Sequence, residues 1–222
     1  AFNTTQWYNI VTVHSGTNAA FYVDGSLIGE GSNNPGNTSD SVGPIQTGWG
    51  TLLSIGRPSR GSLYFGRGLY DEAALFNTAL TPTQVSSIYN AGIPADISVQ
   101  NPISYWKMGN GIGDTTILGT SAVNEEEIST IIDQGPDPHS LTGGGGIIYG
   151  TGYKALNPRQ SLAVDFDGTN DGLDCGDDSS LEPTNISVSA WVKTEGVLDG
   201  YNNVFVKLGA AFLHMSFAIR YR

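Results

Sequence analysis

Apolar and polar residues alternate along this chain in short runs, and glycine, asparagine, serine and proline fill the gaps, a pattern that predicts strands joined by turns. Trp7-Tyr8-Asn9-Ile10-Val11-Thr12-Val13 is rich in aromatic and β-branched residues and stops at the turn residues Ser15 to Asn18. Ala20-Phe21-Tyr22-Val23 and Ser26-Leu27-Ile28-Gly29 flank Asp24-Gly25, the strongest short hairpin signal. Further strands are predicted at Leu52 to Gly56, Gly68 to Phe76, Ile103 to Met108, Ser161 to Phe166, Gly172 to Cys175, Ile186 to Lys193 and Asn203 to Lys207. In the run from Ile186, the residues Ile186, Val188, Ala190 and Val192 face one way while Ser187, Ser189 and Trp191 face the other. That is the period of a half-buried antiparallel strand. One short helix is predicted near 82–91. Thr81 is its N-cap, Pro82 its first residue, Gln84 the capping-box partner and Gly92 its stop, with Val85, Ile88 and Tyr89 at helical spacing.

Between these elements, residues Gly31 to Gly50 read as a long exposed loop, Ile93 to Pro102 as a linker, and Gly113 to Asn157 as turn-rich chain whose Glu125-Glu126-Glu127 is a solvated run. Composition narrows the picture. The 222 residues include 30 glycines and 10 prolines, and 21 acidic against 10 basic residues give a formal charge of -11. Such a balance repels phosphate backbones and anionic lipid, so neither nucleic acid nor membrane insertion is expected. Cys175 is the single cysteine, so no intrachain disulfide exists and a buried thiol is expected. No apolar run approaches the ~18 residues of a membrane span. The chain opens on Ala1-Phe2-Asn3, without Met or a secretory signal, which suggests a processed chain or one cut from something longer.

Two stretches resemble the laminin-G-like, concanavalin A-like lectin superfamily. Trp7 to Val13 followed by Phe21-Tyr22-Val23-Asp24-Gly25 is similar to the family's tryptophan strand and its hairpin. Leu53-Ser54-Ile55-Gly56 and the run Gly68 to Thr81 resemble the close of the same domains. These belong to the family's C-terminal half. Tyr105-Trp106-Lys107-Met108, Asp165 to Asp171 and Ile186 to Lys193 resemble its N-terminal half. The resemblance implies an all-β, antiparallel jelly-roll β-sandwich, with residues 1–93 as the C-terminal half of a sandwich, 94–102 as linker and 103–222 as the N-terminal part of a following, or permuted, sandwich. Two readings stay open. The chain is a window on tandem domains, or its halves close together as a circular permutant, within one chain or with a neighbouring copy. The apparent lack of the family's middle favours the window.

Candidate chemistry is sparse. Glycan hydrolases on this fold align paired carboxylates on one strand, and no such spacing occurs. Asp71-Glu72 would place its two acids on opposite faces of a strand, and His14, His139 and His214 have no partnering acid or nucleophile motif. An enzyme is not expected. Structural calcium is the better candidate, since Ca²⁺ takes six to eight oxygen ligands. Asp165, Asp167, Asn170, Asp171 and Asp174 fall within one strand–turn–strand, and the resemblance adds Asp71 and Glu72. The alternative is a plain turn at Asp167-Gly168-Thr169-Asn170 whose side chains bond their own backbone. For sugar stacking, the loop aromatics Trp49, Tyr64 and Tyr201 are the candidates, whereas Trp7, Trp106 and Trp191 sit in strand patterns that suit a core. The second half is similar in wording to laminin-G-like modules of marine phage virions. A non-catalytic, glycan-binding or structural virion component (fibre, tail or capsid decoration) is therefore expected, at an extracellular or virion surface, with other copies completing the sandwich. A bacterial surface adhesin, or the accessory module of a secreted polysaccharide-degrading enzyme, is the alternative.

Overall fold

The computed structural model describes residues 2–16, 18–32, 53–57, 65–112, 128, 130–136, 139–145, 148–151, 162–195, 202–208 and 215–221. They form two antiparallel sheets. The first half of the chain supplies β1 (Tyr8–Ser15), β2 (Asn18–Val23), β3 (Ser26–Ser32), β4 (Leu53–Ile55), β5 (Arg67–Phe76) and the helix α1 (Pro82–Tyr89). The second supplies β6 (Ser104–Trp106), β7 (Thr130–Ile131), β8 (Leu141–Gly144), β9 (Ile148–Thr151), β10 (Leu162–Asp167), β11 (Gly172–Gly176), β12 (Asn185–Thr194), β13 (Asn202–Leu208) and β14 (Met215–Tyr221). Among the described residues the larger sheet runs β3-β2-β1-β12-β5-β10-β9, with β6 also paired to β5, and the smaller runs β14-β13-β4-β11-β8-β7.

Strands of the two halves interleave in both sheets. β12 lies between β1 and β5, with Val188 opposite Thr12 on one side and Leu75 on the other. β4 lies between β13 and β11, so Ile55 faces Phe205 and Leu173. The central core therefore mixes both halves, packing Ile10, Leu53, Ile55, Tyr70 and Leu75 with Trp106, Val164, Phe166, Leu173, Val188 and Phe205. Its aromatic centre includes Tyr70 against Phe166 at 4.6 Å and Trp106 against Phe205 at 6.3 Å.

The far side of the larger sheet is not open to water where α1 packs on it. There Val11, Val13, Tyr22, Ala74, Phe76 and Tyr105 meet Leu80, Val85, Ile88 and Ile97. This changes the expectation for β12, which is buried on both faces rather than one. Trp191 accordingly lies 2% exposed on the helix side, stacked on Tyr89 at 6.0 Å. Trp106 is core as expected, whereas Trp7, just ahead of β1, is only partly buried.

Local chemistry explains the elements that periodicity predicts. The Thr81 hydroxyl accepts from the Gln84 N–H and the Gln84 side chain accepts from the Thr81 N–H, closing the capping box. α1 ends at Tyr89, short of the expected Gly92, because Asn90 already turns left-handed at φ 46. Asp24 and Gly25, at φ 51 and 72, form the two-residue turn that joins β2 to β3. Within 113–157, expected to be turns, the structure instead contains β7, β8 and β9. The stretch expected as a linker holds the 3-10 turn Ile97–Gln100, with Ile97 buried, and a second 3-10 turn, Asn90–Gly92, lies just ahead of it.

Candidate functional site

The acidic residues expected to bind metal gather on the helix side of the larger sheet and at its β10 end. Along β5 and β10, Asp165 stands opposite Leu69, and Asp71, two residues further along β5, stands opposite Trp191. Both point away from the inter-sheet core. The pairing of β5 with β10 thus puts Asp71 and Asp165 diagonally adjacent on one sheet face.

Asp71 and Glu72 are not on opposite faces. In β5, two residues, Glu72 and Ala73, oppose the single Ala190 of β12, which is a β-bulge, and Glu72 sits at its centre with φ 48. The bulge resets the alternation. Tyr70, Ala73 and Leu75 enter the central core, while Asp71, Ala74 and Phe76 lie on the helix side. On that side the Tyr105 hydroxyl donates to Glu72 Oε2. Burial pushes the Glu72 carboxyl up, opposed by the Tyr105 hydrogen bond and by Lys107. Burial and the nearby Glu72 likewise drive the Tyr105 phenol well above its ordinary range. Lys107 Nζ lies 5.2 Å from the Tyr105 ring centroid and 3.9 Å from Asp96. The lone pairs of Asp71 Oδ1 and Glu72 Oε2 are thus engaged inside the protein, Asp71 Oδ1 accepting from the Glu72 N–H at 2.9 Å.

The turn after β10 is equally self-sufficient. Asp167 Oδ1 accepts from the Thr169 and Asn170 N–H groups at 2.6 and 3.3 Å, and Asp171 Oδ2 accepts from the Asp167 N–H at 2.8 Å. Asn170 Nδ2 donates to the Gly145 carbonyl. Asp174 turns instead to the smaller sheet and pairs with Arg57 at 2.5 Å. Burial, then repulsion from Glu195 and Asp167, raises Asp165 to about 6. Burial, with repulsion from Asp167 and Asp165, raises Asp171 to about 6 against the Asp167 hydrogen bond. Among the described residues no three His, Cys, Asp or Glu side chains are arranged to hold a metal ion. The aromatic candidates Trp49, Tyr64 and Tyr201 lie outside the described residues. A groove of about 520 Å³ runs along α1, lined by Pro82, Thr83, Ser86, Ser87, Asn90 and Ala91, hydroxyl-rich but without an aromatic ring.

A second constellation escaped the sequence reading, because its members are far apart in the chain. His139 is not isolated. Its Nε2 lies 2.8 Å from Ser180 Oγ, and its Nδ1 lies 3.2 Å from Ser104 Oγ and 3.9 Å from Asp133 Oδ2. Serine, histidine and aspartate in this order invite comparison with a hydrolytic triad. The geometry argues otherwise. Ser180 Oγ hydrogen bonds Asp178 Oδ1 at 2.8 Å as well as the ring, so Asp178 competes for its proton. Asp133 is too far from the ring for a hydrogen bond. Its oxygens instead accept three backbone N–H groups, from Tyr105 and Gly135 at 2.7 Å and from His139 at 3.0 Å. The His139 carbonyl accepts from Trp106 Nε1 at 2.7 Å and from Cys175 Sγ at 3.5 Å. The cluster ties β6, β11 and the 3-10 turn Ser179–Leu181 together. The one hint in sequence was Asp133 two residues ahead of Gly135, a side chain placed to accept from its own turn.

Comparison with known proteins agrees with the strand pattern. Residues 1–86 match the family model of the concanavalin A-like lectin/glucanases superfamily. The match runs from the start of the chain into α1 and includes the tryptophan strand, the Asp24-Gly25 hairpin and β5. The two antiparallel sheets with one short helix are consistent with a concanavalin A-like β-sandwich, and a laminin-G-like fold is typically non-catalytic. No curated protein and no solved structure matches the chain. Among the described residues no helix is long and apolar enough to cross a membrane.

Proposed function

We propose that this chain is a non-catalytic carbohydrate-binding or structural module displayed on a virion, as a fibre, tail or capsid-decorating component. The supporting observation is the laminin-G-like sandwich in which Asp71, Glu72, Asp133, Asp167, Asp171, Asp174 and His139 serve internal bonds rather than a cleft with paired acids. Sugar contact falls to the loop aromatics Trp49, Tyr64 and Tyr201, because a pyranose face stacks on a ring and its hydroxyls bond to Asn, Asp and Ser. The test is a glycan array followed by titration calorimetry. Trp49→Ala, Tyr64→Ala or Tyr201→Ala should each lower affinity about tenfold, the ~1.4 kcal/mol expected of one stacked ring, at an unchanged melting temperature. Failure of the wild type to retain any glycan rejects sugar binding and leaves the structural role. Co-sedimentation with virus particles tests the display role. Recovery on bacterial envelopes would favour the adhesin, and a catalytic domain in the same polypeptide would favour the accessory module.

A further inference from the structure

The partition of strands between the two halves makes each half an acceptor for the other. β12 of the second half has both its neighbours, β1 and β5, in the first half, and β4 of the first half has both its neighbours, β13 and β11, in the second. With the halves apart, β4 and β12 have no partner strand and the central core is split down its middle. The halves are joined by the segment 90–101, and nothing in the strand pairing requires that they belong to one molecule.

That joining segment is bent by left-handed backbone. Asn90, Ala91, Gly92 and Asn101 all have positive φ, at 46, 54, 89 and 55. Asparagine and glycine accept this region readily, but Ala91 has no such licence and its Cβ crowds the following carbonyl. Extended, these 12 residues reach about 40 Å, enough to carry the second half to another molecule, and Pro94 favours an extended chain. Within the segment Ile97 is buried against the sheet, whereas Val99, 75% exposed, gains little from the bent form.

We infer that two copies of this chain exchange their second halves, residues 103–222, so that β12 of each copy inserts between β1 and β5 of the other. The exchanged dimer keeps every strand pair of the closed monomer and releases the left-handed turn at Ala91. Opening a closed monomer would break both sheets, so the choice is made during folding and rises with protein concentration.

Ser15 and Asn185 are opposite each other at the exposed end of the β1–β12 pair, at a spacing a disulfide bridges. Full-length S15C and N185C chains, refolded together at high concentration and oxidised, should give a covalent heterodimer that runs as a dimer by size-exclusion chromatography with light scattering. The S15C/N185C double variant should then link between chains in the dimer peak and within the chain in the monomer peak. Ala91→Gly should lower the dimer fraction, about fivefold per hinge relieved of strain. Monomer at every concentration overturns the inference. So does a dimer whose 15–185 link lies within one chain, since it would be held by another surface. If the cysteine variants fold poorly, native mass spectrometry of isotope-labelled and unlabelled wild type decides the same question: mixed dimers that form on refolding together but not on combining folded samples support exchange, while monomer alone, or dimers that mix without unfolding, refute it.

Discussion

Replacing Asp133 by alanine should be among the most damaging single changes to this sandwich, although the residue lies outside any regular element. Its side chain is fully buried, and its two oxygens accept from the N–H groups of Tyr105, Gly135 and His139. Tyr105 and His139 are 1% and 8% exposed, so water reaches those two N–H groups poorly, whereas Gly135 is nearer the surface. Each buried donor left without an acceptor costs about 1–3 kcal/mol, and bonds to a charged acceptor lie at the upper end. Relief from burying the carboxylate offsets part of that. A net loss of about 3–4 kcal/mol is expected, which for a chain of this size corresponds to roughly 6–16 °C in Tm. Asp133→Asn keeps one acceptor and turns an amide N–H₂ toward a donor, so about half that loss is expected. Urea denaturation followed by tryptophan fluorescence measures both, with an unchanged slope showing that the denatured state is the same. A loss below about 1 kcal/mol for Asp133→Ala would refute the view that this carboxylate organises the join between β6 and the 132–139 turn.

Two glycines form a matched pair: a Cβ at Gly56 (φ 77) would lie 2.0 Å from the Phe166 ring, while one at Gly176 (φ 84) meets nothing within 4 Å. Gly56→Ala should therefore cost about 3 kcal/mol and Gly176→Ala about 1 kcal/mol by chemical denaturation, and equal losses would rule out the clash. Asp165 and Asp171, raised to about 6 in the folded protein from an ordinary 3.8, favour the folded state at low pH and lose that contribution as pH rises through 4 to 6. Asp171 is buried, whereas Asp165 is partly exposed and screened, so Asp165→Asn should stabilise by only about 1 kcal/mol at pH 7.5 and by nothing at pH 4; a gain that grows on acidification contradicts the sign. Should calcium bind at Asp165, Asp167, Asn170 and Asp171, millimolar Ca²⁺ would raise the melting temperature of the wild type and leave Asp165→Asn unmoved, while identical curves with Ca²⁺ and chelator would dismiss the cation.

Features set by neighbours in sequence were legible, and features set by neighbours in space were not. The capping box at Thr81 and Gln84, the Asp24-Gly25 turn and the alternation of β12 each depend on a few adjacent residues, so pattern sufficed. The three short strands between 130 and 151 read as turns because Leu141-Thr142-Gly143-Gly144 has little β-propensity of its own; pairing with β11 and β7 holds it extended. The bulge at Glu72 was invisible because β5, buried on both faces, shows no alternation for an extra residue to interrupt, and only the count of partners on β12 reveals it. For the same reason the two acids of Asp71-Glu72 were assigned to opposite faces. His139 seemed unpartnered because Ser104 and Ser180 lie 35 and 41 residues away. The metal candidates were legible as a cluster in sequence, and so was the alternative that the turn at Asp167-Gly168-Thr169-Asn170 bonds its own backbone, which Asp167 does; that Asp171 accepts from the Asp167 N–H was not.

The way the sandwich is covered limits where a ligand can approach. On the larger sheet, the part of the far face formed by β1, β12 and β5 is buried under α1 and the 3-10 turn at Ile97, with Val11, Ala74, Phe76 and Val85 all excluded from water. A sugar cannot lie across it without displacing the helix, whose apolar contacts are worth several kcal/mol. At the β10 end the face carries Asp165 and Asp167 with Asp171 and Glu195 close by, an anionic strip that repels acidic polysaccharides and, among the described residues, has no ring for a neutral one to stack on. The far face of the smaller sheet presents Thr142 and the Arg57–Asp174 pair, whose charges are already matched to each other. Broad, flat recognition across the described parts of either face is therefore disfavoured. Under the glycan-binding proposal, contact falls to residues outside the two described sheets, among which the sequence offers the aromatics Trp49, Tyr64 and Tyr201. A loop-centred site has a distinct consequence. Grafting or shortening a single loop should change which glycan is bound while leaving the denaturation midpoint in place, because the interleaved core of β1, β12, β5, β4 and β11 holds the sandwich without them.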